Sequence, residues 1–424
     1  MNSNEVYVSL DIGTSNVKVI IGEMTNGALN IIGVGTAKSE GIKKGSIVDI
    51  DLTVHSIKNA IEQAEKMVGL EIKNVIVGVS GNHISLQNSH GVVAVSGEKR
   101  VPEIDDQDIA RVMEAAQVSI PLDRKIMDVI PKEFIVDGLS GITAPRGMIG
   151  VRLEMHGTII SGSKTVLHNI ERCVQRAGLN VSYVCLEPLA SGMTALSKDE
   201  RNIGTALVDI GGGTTTVSIF DQGHLQAMVE IPVGGDHITK DISIGLKTTT
   251  DVAETLKLKY GHAFYDNASE DVVFQVPIIG GNKHVDKSQL EISDIIEARL
   301  VEILQLVELE VRKLGYKDLS GGYVLTGGVS STEGLLDLAS EVLQHHVRIA
   351  VPDYIGVREP QYTSSVGLIK FTDHLVKVQG KGKEVAAGII EDIEVPIKKE
   401  KAPKKEKNTD ALAKIKNWTK YFFE

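Results

Sequence analysis

The hydrophobic and polar positions repeat one strand–loop–strand–turn–strand pattern twice along the chain. The first copy runs from Val6-Tyr7-Val8-Ser9-Leu10 through Asp11-Ile12-Gly13-Thr14-Ser15-Asn16 into Val17-Lys18-Val19-Ile20-Ile21. The second runs from Thr205-Ala206-Leu207-Val208 through Asp209-Ile210-Gly211-Gly212-Gly213-Thr214-Thr215-Thr216 into Val217-Ser218-Ile219-Phe220. Turns at Asn26-Gly27 and Asp221-Gln222-Gly223 lead to a third strand in each, and the blocks end in Gly-Val-Gly at 33–35 and Val-Gly-Gly at 233–235. A spacing of about half the chain is too long for a solenoid and predicts two related domains facing each other.

Between the copies the period changes. Val54, Ile57, Ala60, Ile61, Ala64 and Val68 predict a helix with Asp51 as N-cap and Gly69 as stop. Asn74–Val79 then reads as a buried strand, and the β-β-β-α-β order begins a ribonuclease H-like unit. From Asn82 to Ser161 this rhythm is replaced by strand signals at Val92–Val95 and Phe134–Val136 and a helix over Gln107–Gln117, which predicts a small α+β insert. A helix at Lys164–Ala177, a strand at Val181–Leu186 and a Pro188-started helix follow. After the second copy come a helix opened by Lys240 and Asp241, a hairpin at Phe274–Ile279 and beyond, and a long helix over Ile292–Leu314. A strand at Gly322–Leu325 enters Thr326-Gly327-Gly328, with helices near Glu333–Leu343 and Val366–Phe371 after it.

Composition adds limits. The chain has 424 residues, enough for two to four domains, and a net charge of −11. Cys173 and Cys185 are too few for a disulfide framework and predict reduced thiols in the cytosol. His83, His90 and His156 have no metal-ligand spacing. The first strand is reached without a basic and apolar leader, so no export signal is expected. The charge is uneven: from Lys398 to Glu424 nine lysines face four acids, a local +5 that leaves −16 on the remainder. An acidic body argues against nucleic acid as a partner. A basic end points to an anionic surface.

The loops carry the chemistry. Gly13, Thr14, Ser15 and Asn16 in the first copy, with Lys18 on the next strand, and Gly211, Gly212, Gly213, Thr214 and Thr215 in the second, offer bare backbone and hydroxyls for phosphate. Asp11 and Asp209 are placed to orient water around Mg²⁺. Gly327 and Gly328, between a strand and a helix, suit a nucleoside lying against bare backbone. Neither a P-loop nor a Rossmann fingerprint occurs. One Asp-x-Gly after a strand is commonly only a turn; two in duplicated contexts, with Thr-Gly-Gly downstream, form a specific combination.

This set resembles the actin, heat-shock-chaperone and sugar-kinase superfamily, with Leu10–Ser15 and Val208–Thr215 as its phosphate loops and Leu325–Val329 as its adenosine motif. Glu187-Pro188 resembles its first connecting segment, which implies that Glu187 orients the attacking water or the metal shell. The whole chain is more closely similar to the FtsA family of bacterial cell-division proteins. The resemblance rests on Tyr7–Asn16, Gly41–Asp51, Gly162–Thr165 and Gly234–Ile242. It implies an actin-like α/β fold that binds ATP and Mg²⁺, forms filaments and ties the tubulin-like protein FtsZ to the membrane. Lys240 would approach the nucleotide, and Glu297 or Arg299 would face the adenosine or a partner. Any ATPase activity would be weak.

The expected organisation is a first ribonuclease H-like domain (1–81 and 162–200) carrying the insert (82–161). A second such domain (201–236 and 315–376) carries a helical and β subdomain (237–314). A basic linker (377–407) and an amphipathic helix (408–424) complete it. On that helix Leu412, Ile415, Trp418, Phe422 and Phe423 share roughly 140° of arc. Such a stripe often packs on its own protein; the lysine-rich linker and the aromatic residues favour a lipid interface. A sugar-type kinase is the rival reading. It needs an acidic base beside the acceptor hydroxyl, for which no convincing residue is present, and it leaves the helix unexplained.

Overall fold

The computed structural model describes residues 5–97, 102–117, 120–280 and 283–379. The first repeat forms β1 (Glu5–Ile12), β2 (Asn16–Thr25) and β3 (Ala28–Lys38), followed by the short strands β4 (Ile42–Lys43) and β5 (Ser46–Ile47), helix α1 (Ile50–Val68) and β6 (Asn74–Val79). The insert holds β7 (Ile84–Ala94), α2 (Asp106–Ala115), β8 (Arg124–Val136), β9 (Leu139–Ile142) and β10 (Arg152–Ser163). Then come α3 (Lys164–Arg176), β11 (Asn180–Leu186), α4 (Glu187–Ala195) and α5 (Lys198–Ile203). The second repeat forms β12 (Thr205–Ile210), β13 (Thr215–Asp221) and β14 (His224–Ile231), with α6 (Gly235–Gly245) and α7 (Thr250–Tyr260) after it. A hairpin of β15 (Val273–Pro277) and β16 (His284–Ser288) precedes α8 (Gln289–Lys313), β17 (Tyr323–Thr326), α9 (Leu335–Leu343), β18 (Val347–Ile349) and α10 (Thr363–Gln379).

The duplication read from the sequence is complete at the level of topology. One five-stranded sheet has the order β11-β6-β1-β2-β3 and the other β14-β13-β12-β17-β18. In each, the first three strands are antiparallel and the last two add in parallel beside the first. Parallel additions need crossovers that cover the sheet faces, which is why β1 and β12 are apolar almost throughout. On β1, Val8 and Leu10 face α1 and α3, while Tyr7 faces α4 and α10. On β12, Ala206, Val208 and Ile210 face the α6–α9 side, and Leu207 packs with Phe220 and Val324 on the other. The insert is a four-stranded sheet, β7-β10-β8-β9, with its own core around Val112, Phe134, Leu153 and Met155.

Several local expectations shift. Asp49, not Asp51, caps α1, its carboxylate accepting from the Leu52 amide at 3.1 Å. Asp51 sits in the first turn and pairs with Arg176 at 2.6 Å. Gly69 does end the helix, in the left-handed region at φ 69°. The helix expected to open at Lys240 opens five residues earlier, at Gly235. The two glycine strings also serve different purposes. Gly35 lies within β3, where a Cβ would fall 1.9 Å from the Ala60 carbonyl oxygen, so it lets α1 settle on the strand. Gly234 follows the last strand and presses on the Gly211 and Gly212 carbonyls. Both cysteines are buried and free. Among the described residues no helix is long and apolar enough to cross a membrane.

The helix α10 follows the second sheet in sequence yet packs on the first. Val366, Leu368 and Ile369 join Tyr7, Ile20, Ile76 and Ala190 in one core. Its crossing with α4 is close enough that a Cβ on Gly367 would lie 2.1 Å from the Ala190 carbonyl oxygen. Because a backbone cannot rotate out of the way as a side chain can, Gly367→Ala is expected to cost about 1–3 kcal/mol in urea unfolding. A second test concerns Arg348 on β18, which donates to Glu200 at 2.7 and 2.8 Å and to the Ala195 carbonyl at 2.6 Å. Arg348 holds the Glu200 carboxyl down at about 2, against 4.5 ordinarily. A depressed carboxylate contributes stability above its unfolded value and loses it as pH falls through the folded one. Arg348→Gln is therefore expected to destabilise by about 1–3 kcal/mol at pH 7, with the gap from wild type closing from pH 4.5 towards 2.

Candidate functional site: a cleft between the duplicated sheets

The ends of β1 and β12 open onto one cleft of about 540 Å³. The same hairpin closure builds both loops: Gly13 N donates to Asn16 O at 3.1 Å and Gly211 N to Thr214 O at 2.9 Å. The first loop is tied down by Thr14, whose hydroxyl accepts from Gly45 N at 3.1 Å. The second is tied to the start of α6, where Gly235 N and Asp236 N donate to the Gly211 and Gly212 carbonyls at 2.9 and 2.8 Å. The tips meet across the cleft. A Cβ on Gly212 would lie 1.8 Å from Ser15 Oγ, and one on Gly213 would lie 2.7 Å from Thr14 Oγ1. Bare backbone from both halves and the positive end of α6 thus converge on one point, an arrangement suited to phosphate.

Charge is concentrated behind the loops. Asp11 and Lys18 are cross-strand partners on β1 and β2 and pair at 3.0 Å. Glu187, at the start of α4, reaches the cleft beside Gly78 of β6, where a Cβ would come within 2.8 Å of its Oε1. Asp209 enters from β12. Burial would lower the Lys18 ammonium, but Asp11 above all, then Asp209 and Glu187, more than reverse that and raise it. Burial lifts Asp209 to about 6, with Lys18 opposing and Asp11 adding to the rise. Glu187 is pushed well up by burial and by the two aspartates. Three carboxylates around one ammonium leave the pocket short of positive charge.

A divalent cation fits that shortage. Among the described residues no group of three His, Cys, Asp or Glu side chains is set to hold a metal directly. The carboxylates suit an ion that keeps its waters and takes phosphate oxygens, as Mg²⁺ does. On the opposite wall Gly327 adopts φ 87° and packs on Asp209, where a Cβ would meet Oδ1 at 2.4 Å. Gly328 faces open space, with nothing nearer than Gln361 Cβ at 4.0 Å. That exposed backbone leaves room for a flat ring system.

Most of the expected residues line this cleft: Asp11, Gly13, Thr14, Ser15, Asn16, Lys18, Glu187, Asp209, Gly211, Gly212, Gly213, Thr214, Gly327 and Gly328. Four are placed elsewhere. Thr215 is buried, its hydroxyl donating to the Val233 carbonyl at 2.8 Å, and Thr216 lines the cleft instead. Lys240 is exposed on α6 and absent from the lining. Glu297 on α8 accepts from the Tyr265 amide, one position past Ile296, which does line the cleft. Arg299 is held by Asp241 and Glu302. Leu412, Ile415, Trp418, Phe422 and Phe423, and residues 380–407, lie outside the described residues.

A cleft-lining cation not foreseen from the sequence is Lys257 of α7. It donates to Thr239 Oγ1 and Glu254 at 2.7 Å and to the Gly235 carbonyl at 3.2 Å. A Lys–Glu pair three residues apart on a helix has no signal that separates it from an ordinary surface pair. Also unforeseen is a link across the cleft: Asn82 N donates to Glu230 Oε2 at 3.3 Å, and the Asn82 amide and the Glu230 backbone exchange bonds of 3.1 and 3.2 Å.

With this geometry in place, the chain can be set beside known proteins. Residues 206–367 match the family model "Cell division protein FtsA", and residues 81–161 match "SHS2 domain inserted in FTSA". Cell division protein FtsA of Bacillus subtilis (strain 168) is 58% identical over 382 residues, covering 90% of this chain and 86% of that protein.

The chain belongs to the FtsA family.

Membership fits the fold, because the residues that match the inserted-domain model, 81–161, are the ones that form the separate four-stranded unit here. Solved structures with the same actin-like fold include MreB5 of Spiroplasma citri bound to ADP, at TM-score 0.53 and 15% identity, covering 90% of this chain and 98% of that one. The MamK double helical filament aligns at TM-score 0.52 and 13% identity, covering 87% and 99%. At such identities the fold is what is shared. Within an FtsA-family cleft of this geometry, Gly212→Ala meets only the movable Ser15 side chain and the Asp236 carboxylate. It is expected to shift the melting midpoint by no more than a few degrees while weakening ATP binding about tenfold, measured by calorimetry.

Proposed function

We propose that this FtsA-family chain is an ATP-binding adaptor that polymerises on the inner face of the cytoplasmic membrane at the division site. There it anchors FtsZ filaments and recruits later division proteins. The observation that carries the reading is the cleft. Two duplicated glycine loops, one from each sheet, close on a pocket rich in carboxylate, which suits the triphosphate and Mg²⁺ of ATP. ADP in the similarly folded MreB5 supports a nucleotide here, and the MamK filament supports assembly.

In this reading ATP acts chiefly as a clamp. The loops of residues 11–16 and 209–216 would hold the triphosphate, and Gly327 and Gly328 the adenosine. Asp11 and Asp209 would hold the waters of Mg²⁺, which would supply charge neutralisation for the phosphates. Glu187 orients water, and any hydrolysis is slow. The subdomain at 237–314 takes the C-terminal peptide of FtsZ, and the insert at 82–161 takes later division proteins. The basic linker and the amphipathic helix of residues 408–424 supply a weak, reversible membrane contact, strengthened by avidity once subunits polymerise.

Co-sedimentation with vesicles rich in anionic lipid, with and without ATP, tests the membrane arm. The intact chain is expected to pellet, more strongly with ATP, and Trp418→Glu to reduce binding by about tenfold or more. An intact chain left in the supernatant, or a variant that pellets equally, removes the anchor. A burst of ADP that depends on added sugar would favour a small-molecule kinase instead.

A further inference from the structure

The cleft description leaves unexplained a buried run of hydroxyls, Thr363-Ser364-Ser365, in the first turn of α10. Their exposures are 1%, 7% and 0%. Hydroxyls at a helix start ordinarily satisfy amides of their own first turn. Here they act at long range. Ser364 Oγ and Ser365 Oγ each donate to Asp11 Oδ2 at 3.0 Å, more than 350 residues away in sequence. Lys18 Nζ reaches the same oxygen at 3.0 Å. Thr326 donates through its hydroxyl to Thr363 at 2.7 Å, and lies in bonding distance of the Pro360 carbonyl at 3.0 Å.

The geometry of these bonds is selective. Two hydroxyls and one ammonium converge on Oδ2, and no hydrogen bond to Oδ1 occurs among the described residues. The carboxylate is thereby fixed in rotation with one oxygen committed to the protein and the other left for the cleft. Lys18 alone would not do this, since a point charge on a flexible stem is satisfied by either oxygen. Hydroxyls on a helix anchored by the Val366, Leu368 and Ile369 core impose direction as well as charge. The same turn holds Thr326, immediately before Gly327, and so couples the carboxylate end of the cleft to its nucleoside wall.

We infer that Ser364 and Ser365 are positioning residues for Asp11, orienting Oδ1 towards the hydration shell of a nucleotide-bound divalent cation. This rests on the ATP and Mg²⁺ reading above. Charge-assisted bonds to a carboxylate are strong enough for their loss to be visible in a binding titration. Ser364 lines the cleft and Ser365 does not, and neither belongs to the loops assigned to the phosphates, so affinity for metal-free ATP is expected to depend little on either serine.

ATP is titrated into the full chain by calorimetry, once with Mg²⁺ and once with EDTA. The chains compared are wild type, Ser364→Ala, Ser365→Ala, the double variant and Asp11→Asn. The expected result is that the ratio of the two affinities falls about tenfold in the double variant and partly in each single one. Affinity in EDTA is expected to stay within about twofold, and Asp11→Asn to remove the ratio. An unchanged ratio in the serine variants overturns the inference. So does a parallel loss in both buffers, which marks a purely structural role. If the double variant does not fold, the single variants decide. A wild-type chain that binds no ATP in either buffer overturns the nucleotide reading itself. One that binds ATP equally in both overturns the metal role of Asp11, and the positioning claim with it.

Discussion

The structure turns on three carboxylates that share one ammonium. Asp11, Glu187 and Asp209 come from β1, α4 and β12, and Lys18 is the cation set among them. Charges of one sign held this close in a protein interior repel strongly, and separation or neutralisation is the usual outcome. Burial is the main cause of the rise in the Asp209 and Glu187 carboxyls; the neighbouring acids add to it and Lys18 opposes it. The chain accepts the repulsion because the two sheets are built to meet at this point. Each central strand ends in Asp-Ile followed by glycine, and α4 and α10, which cross at Ala190 and Gly367, pack beside them. In the proposed reading the divalent cation would supply the positive charge that the pocket lacks, and the nucleotide that brings it would join the halves.

That coupling explains why so much of the fold is close backbone contact. Gly35 against the Ala60 backbone, Gly367 against the Ala190 backbone and Gly327 against the Ile210 carbonyl leave a Cβ no room, while Gly212 meets the movable Ser15 side chain. The first two set the sheet and helix layers, and the last two set the walls of the cleft. A scaffold with such tight joints transmits a small displacement instead of absorbing it. The bond network at Asn82 and Glu230 adds a second point where the halves meet, beside Thr214 of the second loop.

The repeat was legible because both copies keep an apolar strand, an acid and glycine at matching positions, and the matching strand orders follow from it. That Asp11, Asp209 and the loop glycines meet in one cleft was likewise readable, from the pairing of two such turns in duplicated contexts, and Glu187 from the resemblance. Lys257 was not, because its importance comes from where α7 packs and not from its neighbours in sequence. Lys240, on the neighbouring α6, points outward for the converse reason: that helix begins at Gly235, five residues before the expected start. Ser364 and Ser365 lie just before the helix expected over Val366–Phe371 and carried no signal of their own. Only the return of α10 to the first sheet brings them to Asp11, and nothing local in the sequence records that crossing.

The central claim is that nucleotide joins the two halves through both loops at once. Hydrogen–deuterium exchange of the full chain, with and without ATP and Mg²⁺, tests it most directly. Protection is expected to appear together over residues 11–16, 209–216 and 326–328, and to require the metal for its full extent. Protection confined to one half, or none in any of the three segments, would contradict the account.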